Sequence, residues 1–223
     1  MFSRIQAIIS SLSAKEQRTL YSALSFLILS LILLSINSIY KNTILIPNTG
    51  GEYIEGFIGQ PSLINPILIT TNDIDRDLTA LLFSDLDILT EKIESHDRGQ
   101  TWIIALKKEL LWSDGEPITA NDIIYTLNTI QDFNTRSPLL TTWQGVIAEK
   151  LSDSEIKFTL KAPYIFFDDN LKSFKIIPRH IFSAIPNANL KLSNYNLEPI
   201  SSGPYMFKAS SKRKDGFITV DGI

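Results

Sequence analysis

Cysteine is absent from the 223 residues. That excludes disulfides, thiolate metal sites and cysteine nucleophiles. It also excludes the lipidated cysteine that commonly tethers bacterial surface lipoproteins. It does not fix a compartment, because an exported chain can do without disulfides. Histidine is scarce. His96 and His180 lie far apart in unlike contexts, and His180 follows Pro178-Arg179 at a turn, where a structural role is expected. No HExxH run and no dense carboxylate cluster points to a metal. The Asp168-Asp169 doublet reads as a solvated pair. Glycines 50, 51, 56 and 59 match no phosphate loop, which needs a Lys-Ser/Thr pair opening a helix, and no G-x-S-x-G is present. Catalysis and cofactors are therefore not expected. A basic patch is lacking too: 21 basic and 24 acidic residues are interspersed for a net charge of −3, which argues against a nucleic-acid partner. With 44% hydrophobic and 20% charged residues, the composition is that of a folded chain.

Charge is missing altogether from Thr19 to Tyr40, 22 residues bracketed by Arg18 and Lys41. As a helix this segment reaches roughly 33 Å, enough to cross a bilayer core of about 30 Å. It carries only Ser, Thr and Asn among its apolar residues, where a buried soluble helix would show a polar face. A cleavable signal peptide would have a shorter apolar core and a small-residue exit. Here the exit reads SINSIYKN. An uncleaved signal anchor is the expectation, with cleavage and a buried soluble helix as the competing readings. Arg4, Lys15 and Arg18 precede the segment, so the positive-inside rule keeps the N-terminus cytoplasmic and places the bulk of the chain outside. Ser13 and Glu16 have the spacing of a capping box.

Beyond the apolar segment, KNTILIPNTGG (41–51) reads as a linker. EYIEGFIG (52–59) alternates like a half-buried strand, and QPSLINP (60–66) is a proline-bounded loop. Ile74, Leu78, Leu81 and Leu82 are helically spaced within 71–86, with Thr71 or Asn72 as cap and Asp73, Asp75 and Asp77 at the positive end of the helix dipole. SHDRGQ (95–100) is a turn. TWIIALKKEL (101–110) is a strand with Trp102 and Ile104 on one face. A hairpin is expected over 147–163, with Ile156, Phe158 and Leu160 alternating. A short helix fits 164–174, a strand-to-turn segment 175–182, a loop 187–199, and a turn into a strand 201–210. Strands come mostly as hairpins without regular βαβ alternation, so the fold class is α+β.

Residues 109–127, ELLWSDGEPITANDIIYTL, join a strand to a helix. Asp114-Gly115 is a strong turn pair and Pro117 stops the strand ladder. Thr119 with Asp122 three residues on has capping-box spacing, and Ile123, Ile124 and Leu127 form the apolar stripe that Trp112 can cover. Each part has a structural explanation as a folding device.

The same stretch closely resembles the most recognisable segment of the extracellular solute-binding proteins of family 5, the peptide, oligopeptide and nickel receptors of ABC importers. Other blocks resemble the family in the same order: GGEYIEGFIGQPSLINP (50–66), DLTALLFSDL (77–86), SDSEIKFTLKAPYIFF (152–167), KIIPRHIF (175–182) and SSGPYMFK (201–208). The resemblance covers about residues 50–208. It implies a periplasmic-binding-protein-like type II fold, of which the chain looks like an incomplete first lobe (lobe I) preceded by one transmembrane helix. The segment between the first helix and the SHDRG turn is shorter than the family's, and members are usually about twice as long. The expected organisation is a cytoplasmic stub (1–18), a transmembrane signal anchor (19–40), a linker (41–51) and a partial solute-binding domain (52–223).

The implied function is a membrane-anchored, extracytoplasmic solute-binding protein of an ABC importer, single-pass in the cell membrane. Its partners would be a peptide or other small solute and an ABC permease in the same membrane. The alternative is a truncated receptor or remnant acting as an envelope interaction module without solute binding. In related peptide receptors the loop after the first strand faces the cleft and pairs with the peptide backbone. The resemblance carries that role to Gln60, Pro61 and Ser62. Trp143 is the further candidate ligand contact, with core packing as the competing reading, and Asn65 is expected to tie the loop down.

Overall fold

A computed structural model describes residues 12–42, 59–68, 71–212 and 218–222. The chain separates into two compact units, Met1–Glu55 and Gly56–Ile223.

Among the described residues the first unit holds one helix, α1 (Ala14–Asn42). Its start is set by the expected capping box: the Ser13 N–H and hydroxyl both donate to Glu16 Oε2, at 2.8 and 2.7 Å. The apolar side chains from Leu20 to Ile36 stand exposed. The stretch Ala14–Ser38 is long and apolar enough to cross a membrane. Its hydroxyls do not weaken that reading. Ser22 donates to the Thr19 carbonyl and Ser35 to the Leu31 carbonyl, both at 2.9 Å, so these polar atoms are satisfied within the helix, as a lipid environment demands. The expected stub up to residue 11, most of the linker and the strand expected over 52–59, apart from Gly59, lie outside the described residues.

The second unit is mixed α and β. Helix α2 (Asp73–Leu82) starts at Asn72, whose side-chain oxygen accepts the Ile74 N–H. A short turn, α3 (Leu86–Leu89), leads into β1 (Thr90–His96) and β2 (Thr101–Leu106). Then come α4 (Ala120–Gln131), α5 (Leu140–Trp143), β3 (Ile147–Lys150) and β4 (Glu155–Thr159). Helices α6 (Phe167–Lys172) and α7 (Arg179–Phe182) follow, with 3-10 turns over Asn187–Leu192 and Asn194–Asn196. A separate antiparallel pair, β5 (Ala209–Lys212) and β6 (Ile218–Gly222), follows them in the chain.

Strands β1 to β4 form one antiparallel sheet in the order β1-β2-β4-β3. The two inner strands alternate. Trp102, Ile104 and Leu106 of β2 and Ile156 and Phe158 of β4 are all buried, which period-2 geometry requires of one covered face. Ile123, Leu127 and Ile130 of α4 belong to the same core, at the helical spacing of an amphipathic face. The outer strands β1 and β3 are mostly exposed.

The turn and the capping box expected within 109–127 form, but the strand expected over 101–110 ends at Leu106, and Pro117 pairs with Leu111 in a single bridge instead of stopping the ladder. Gly115 adopts φ +93° and its N–H closes on the Trp112 carbonyl at 2.9 Å, a conformation open to glycine. Asp122 Oδ2 accepts the Thr119 N–H at 2.9 Å, and Trp112 is 2% exposed. The strand expected within 175–182 is a single bridge, Asp85 to Lys175. Side chains of α4 take over the backbone there: the Ile177 N–H donates to the Thr126 hydroxyl and the Arg179 N–H to Asp122 Oδ1, both at 3.0 Å.

Candidate functional site

The candidate loop Gln60–Ser62 lies against the first turn of α2. Asn72 Nδ2 donates to the Gln60 carbonyl at 2.9 Å. Two residues on, Ser62 gives both its donors to one carboxylate: its N–H to Asp75 Oδ1 at 2.7 Å and its hydroxyl to Asp75 Oδ2 at 2.6 Å. Asp75 is wholly buried. It sits at the third helical position, where the positive end of the helix dipole favours a carboxylate. Ahead of these contacts, Gly59 has φ +134° and lies so close to Ile74 that a Cβ would come within 2.4 Å of Ile74 Cδ1. The loop is thus held on one side by Asn72, Ile74 and Asp75. Ser62 is exposed, while Gln60 and Pro61 are half-buried. Both donors of Ser62 are thus spent on the helix, and the Gln60 Nε2 donates to the Gly59 carbonyl at 3.2 Å.

The end of the same loop is tied down as well. Asn65 is 1% exposed. Its Oδ1 accepts the Ile67 N–H at 3.2 Å and its Nδ2 donates to Asn196 Oδ1 at 3.0 Å. Asn65 is therefore an internal tie, as expected.

Trp143 is not part of this arrangement. It is 3% exposed, with ring centroids 4.4 Å from Phe174, 5.3 Å from Phe167 and 6.4 Å from Phe158. A recess of about 170 Å³ opens beside it, lined by Thr142, Gln144, Lys161, Tyr164 and Asn170 among others, but Trp143 does not line it. Trp143 packs in the core with Phe158, Phe167 and Phe174, the arrangement described by the competing reading of this residue.

A second polar cluster fixes the Trp-Ser-Asp-Gly turn. His180 Nε2 and Asp114 Oδ2 are 2.7 Å apart, and the Trp112 ring meets the His180 ring edge-on at 6.4 Å. The Ser113 N–H donates to the Ser201 carbonyl, and the Ser201 N–H donates to Ser113 Oγ, both at 2.9 Å. Burial opposes ionisation of Asp114, but hydrogen bonds from His180 and from the Glu116 N–H outweigh it and hold its carboxyl below the usual range. This cluster joins residues 66 and 88 positions apart, and no local signal marks it. The Ser62–Asp75 contact spans 13 positions. Its only sequence sign is an acid at the third helical position after an Asn cap. Among the described residues, no group of three or more His, Asp or Glu side chains is placed to hold a metal ion.

Residues 87–217 match the model of the bacterial extracellular solute-binding proteins, family 5 middle region. The chain is 31% identical over 214 residues to the oligopeptide-binding protein AppA of Bacillus subtilis, covering 87% of this chain and 39% of that one. The structure of that AppA in complex with a nonapeptide superposes with a TM-score of 0.63 at 30% identity, covering 70% of this chain and 33% of that one. The ABC transporter substrate-binding protein CtaP of Listeria monocytogenes gives 0.62 at 31% identity, with 69% and 33% covered. The chain thus spans about two fifths of the length of the Bacillus subtilis relative. Both neighbours are binding proteins, and the mixed helix-and-sheet unit of this chain shares their fold over the part that superposes. The chain belongs to the bacterial extracellular solute-binding proteins of family 5.

Proposed function

We propose that this chain is an extracytoplasmic solute-binding protein of an ABC importer and takes peptides or similar solutes. In this reading residues 1–18 are a cytoplasmic stub, 19–40 anchor the chain in the cell membrane, 41–51 link, and 52–223 are a partial solute-binding domain, its first lobe. The observation that carries the reading is the family match over residues 87–217, joined to a loop, Gln60–Ser62, that is fastened to the first turn of α2. Extended peptides are captured by backbone hydrogen bonds, with side-chain pockets supplying tolerance. A pinned loop of fixed backbone suits that mode. The permease would lie in the same membrane as α1.

The test is a thermal-shift titration of the full chain in mild detergent with a peptide pool from a tryptic casein digest. A ligand that binds only the folded state raises the melting temperature with concentration. A saturable rise supports solute binding. A cooperative melt that the pool leaves unmoved favours the second reading, an envelope interaction module without solute binding. The run Tyr164, Ile165 and Phe166, exposed by 48%, 68% and 66%, supports that alternative, because contiguous apolar exposure marks interaction surfaces.

A further inference from the structure

We infer that Asp75, buried and out of reach of any solute, is the positioning residue of the candidate solute loop, and that the first turn of α2 is the template on which this loop is shaped. The inference rests on the peptide-binding reading above.

Consider what each loop residue gives to the helix. Gly59 gives close approach to Ile74. Gln60 gives its carbonyl to Asn72. Pro61 has no N–H to give. Ser62 gives its N–H and its hydroxyl to the two oxygens of Asp75. The loop's attachments to the helix therefore converge on its first turn, at Asn72, Ile74 and Asp75. Asp75 is the strongest of these attachments. An ionised carboxylate accepts both bonds, and charge-assisted hydrogen bonds are shorter and stronger than neutral ones. Its cost of burial is met within the loop and helix: both oxygens are satisfied by Ser62, and its charge lies at the helix N-terminus. An acid at this position ordinarily bonds back to its own helix cap. Asp75 reaches across to the loop, 13 residues earlier, so its role is to place Ser62. A pinned loop loses less conformational entropy when a peptide docks, which is how preorganisation raises affinity.

The experiment compares the full chain in detergent with Asp75→Asn, which keeps the shape and one acceptor but removes the charge. Two quantities are read: amide hydrogen exchange at Ser62 relative to amides of α4, and the melting-temperature rise given by the casein-digest peptide pool. Asp75→Asn is expected to speed exchange at Ser62 by about tenfold or more, the loss of a hydrogen bond to a charged acceptor. Exchange in α4 stays at the wild-type rate, and the peptide-induced rise falls by half or more. Asn72→Ser is the companion variant. Serine caps a helix about as well as asparagine, so stability is kept while the donor to the Gln60 carbonyl is removed; the peptide response should fall here too. If Asp75→Asn does not melt cooperatively, Asn72→Ser decides. Wild-type exchange at Ser62 in Asp75→Asn overturns the inference, as does a full peptide response in both variants. If the wild-type chain itself gives no response, the peptide reading fails. The exchange at Ser62 then still decides whether Asp75 positions the loop.

Discussion

Replacing Asp122, the one carboxylate of α4, by alanine should strongly destabilise the second unit. The side chain is 4% exposed and its two oxygens hold two elements. Oδ2 accepts the Thr119 N–H at 2.9 Å and the Thr119 hydroxyl at 3.1 Å, which closes the start of α4. Oδ1 accepts the Arg179 N–H at 3.0 Å, which fastens α7 to that start. Loss of a helix cap costs about 1 kcal/mol. A hydrogen bond to a charged group is worth about 1.5–3 kcal/mol. The dipole contribution adds about 0.5 kcal/mol. Together Asp122→Ala should lose about 3–4.5 kcal/mol, a large share of the roughly 5–15 kcal/mol that holds a domain folded. With a urea slope of about 1–3 kcal/mol per molar, the unfolding midpoint should fall by about 1 M or more. Asp122→Glu supplies an internal control. Glutamate suits the capping position but displaces the oxygen that meets Arg179, so roughly half the loss is expected. A midpoint for Asp122→Ala within about 0.3 M of wild type would show that these bonds do not hold the junction, and the account of residues 109–127 as a folding device would fall.

Three further outcomes are expected. Trp143→Ala should destabilise the second unit by about 3–5 kcal/mol, the cost of emptying a buried aromatic site; a loss under about 1 kcal/mol in urea unfolding would contradict its place among Phe158, Phe167 and Phe174. Asp114 has a depressed folded-state pKa, so its contribution is present above the ordinary carboxylate range and is lost as pH falls through the folded value. The melting temperature of wild type should therefore exceed that of Asp114→Asn at neutral pH, with the gap closing below about pH 4; a gap that stays constant down to pH 2 would refute the His180–Asp114 assignment. Leu29→Arg puts a charge near the middle of the apolar stretch of α1, at about 2.5–3.5 kcal/mol in a membrane-spanning helix. If α1 is an anchor, the variant should move from the carbonate-resistant membrane fraction to the soluble one, whereas unchanged fractionation would count against a spanning role.

What could be read along the chain, and what could not, divides by the sequence distance between partners. Ser13 with Glu16 and Thr119 with Asp122 lie three residues apart, and both were legible as capping boxes because helix geometry fixes where such a pair must meet. The alternation of β2 and β4 was legible for the same reason: one covered face imposes a period of two on Trp102, Ile104, Ile156 and Phe158. β1 was not. Its sequence TEKIESH has one large apolar residue, Ile93, since an edge strand with little covered surface leaves little periodicity to see. The segment 175–182 misled in the opposite sense. Ile176 and Ile177 are wholly buried and look like a strand, but Thr126 and Asp122 take up the backbone donors of Ile177 and Arg179 that a neighbouring strand would otherwise accept. The candidate site shows the same division. The loop Gln60–Ser62 could be located from its prolines and its family resemblance, whereas the carboxylate behind it could not, because Asp75 reads locally as one of three acids suited to a helix start. Of Asp73, Asp75 and Asp77, only Asp75 lies on the buried side of α2 together with Ile74 and Leu78. Helical phase therefore singles out the one acid that must find a partner away from solvent, and such a buried acid in the first turn is a sign that a loop is being held from behind.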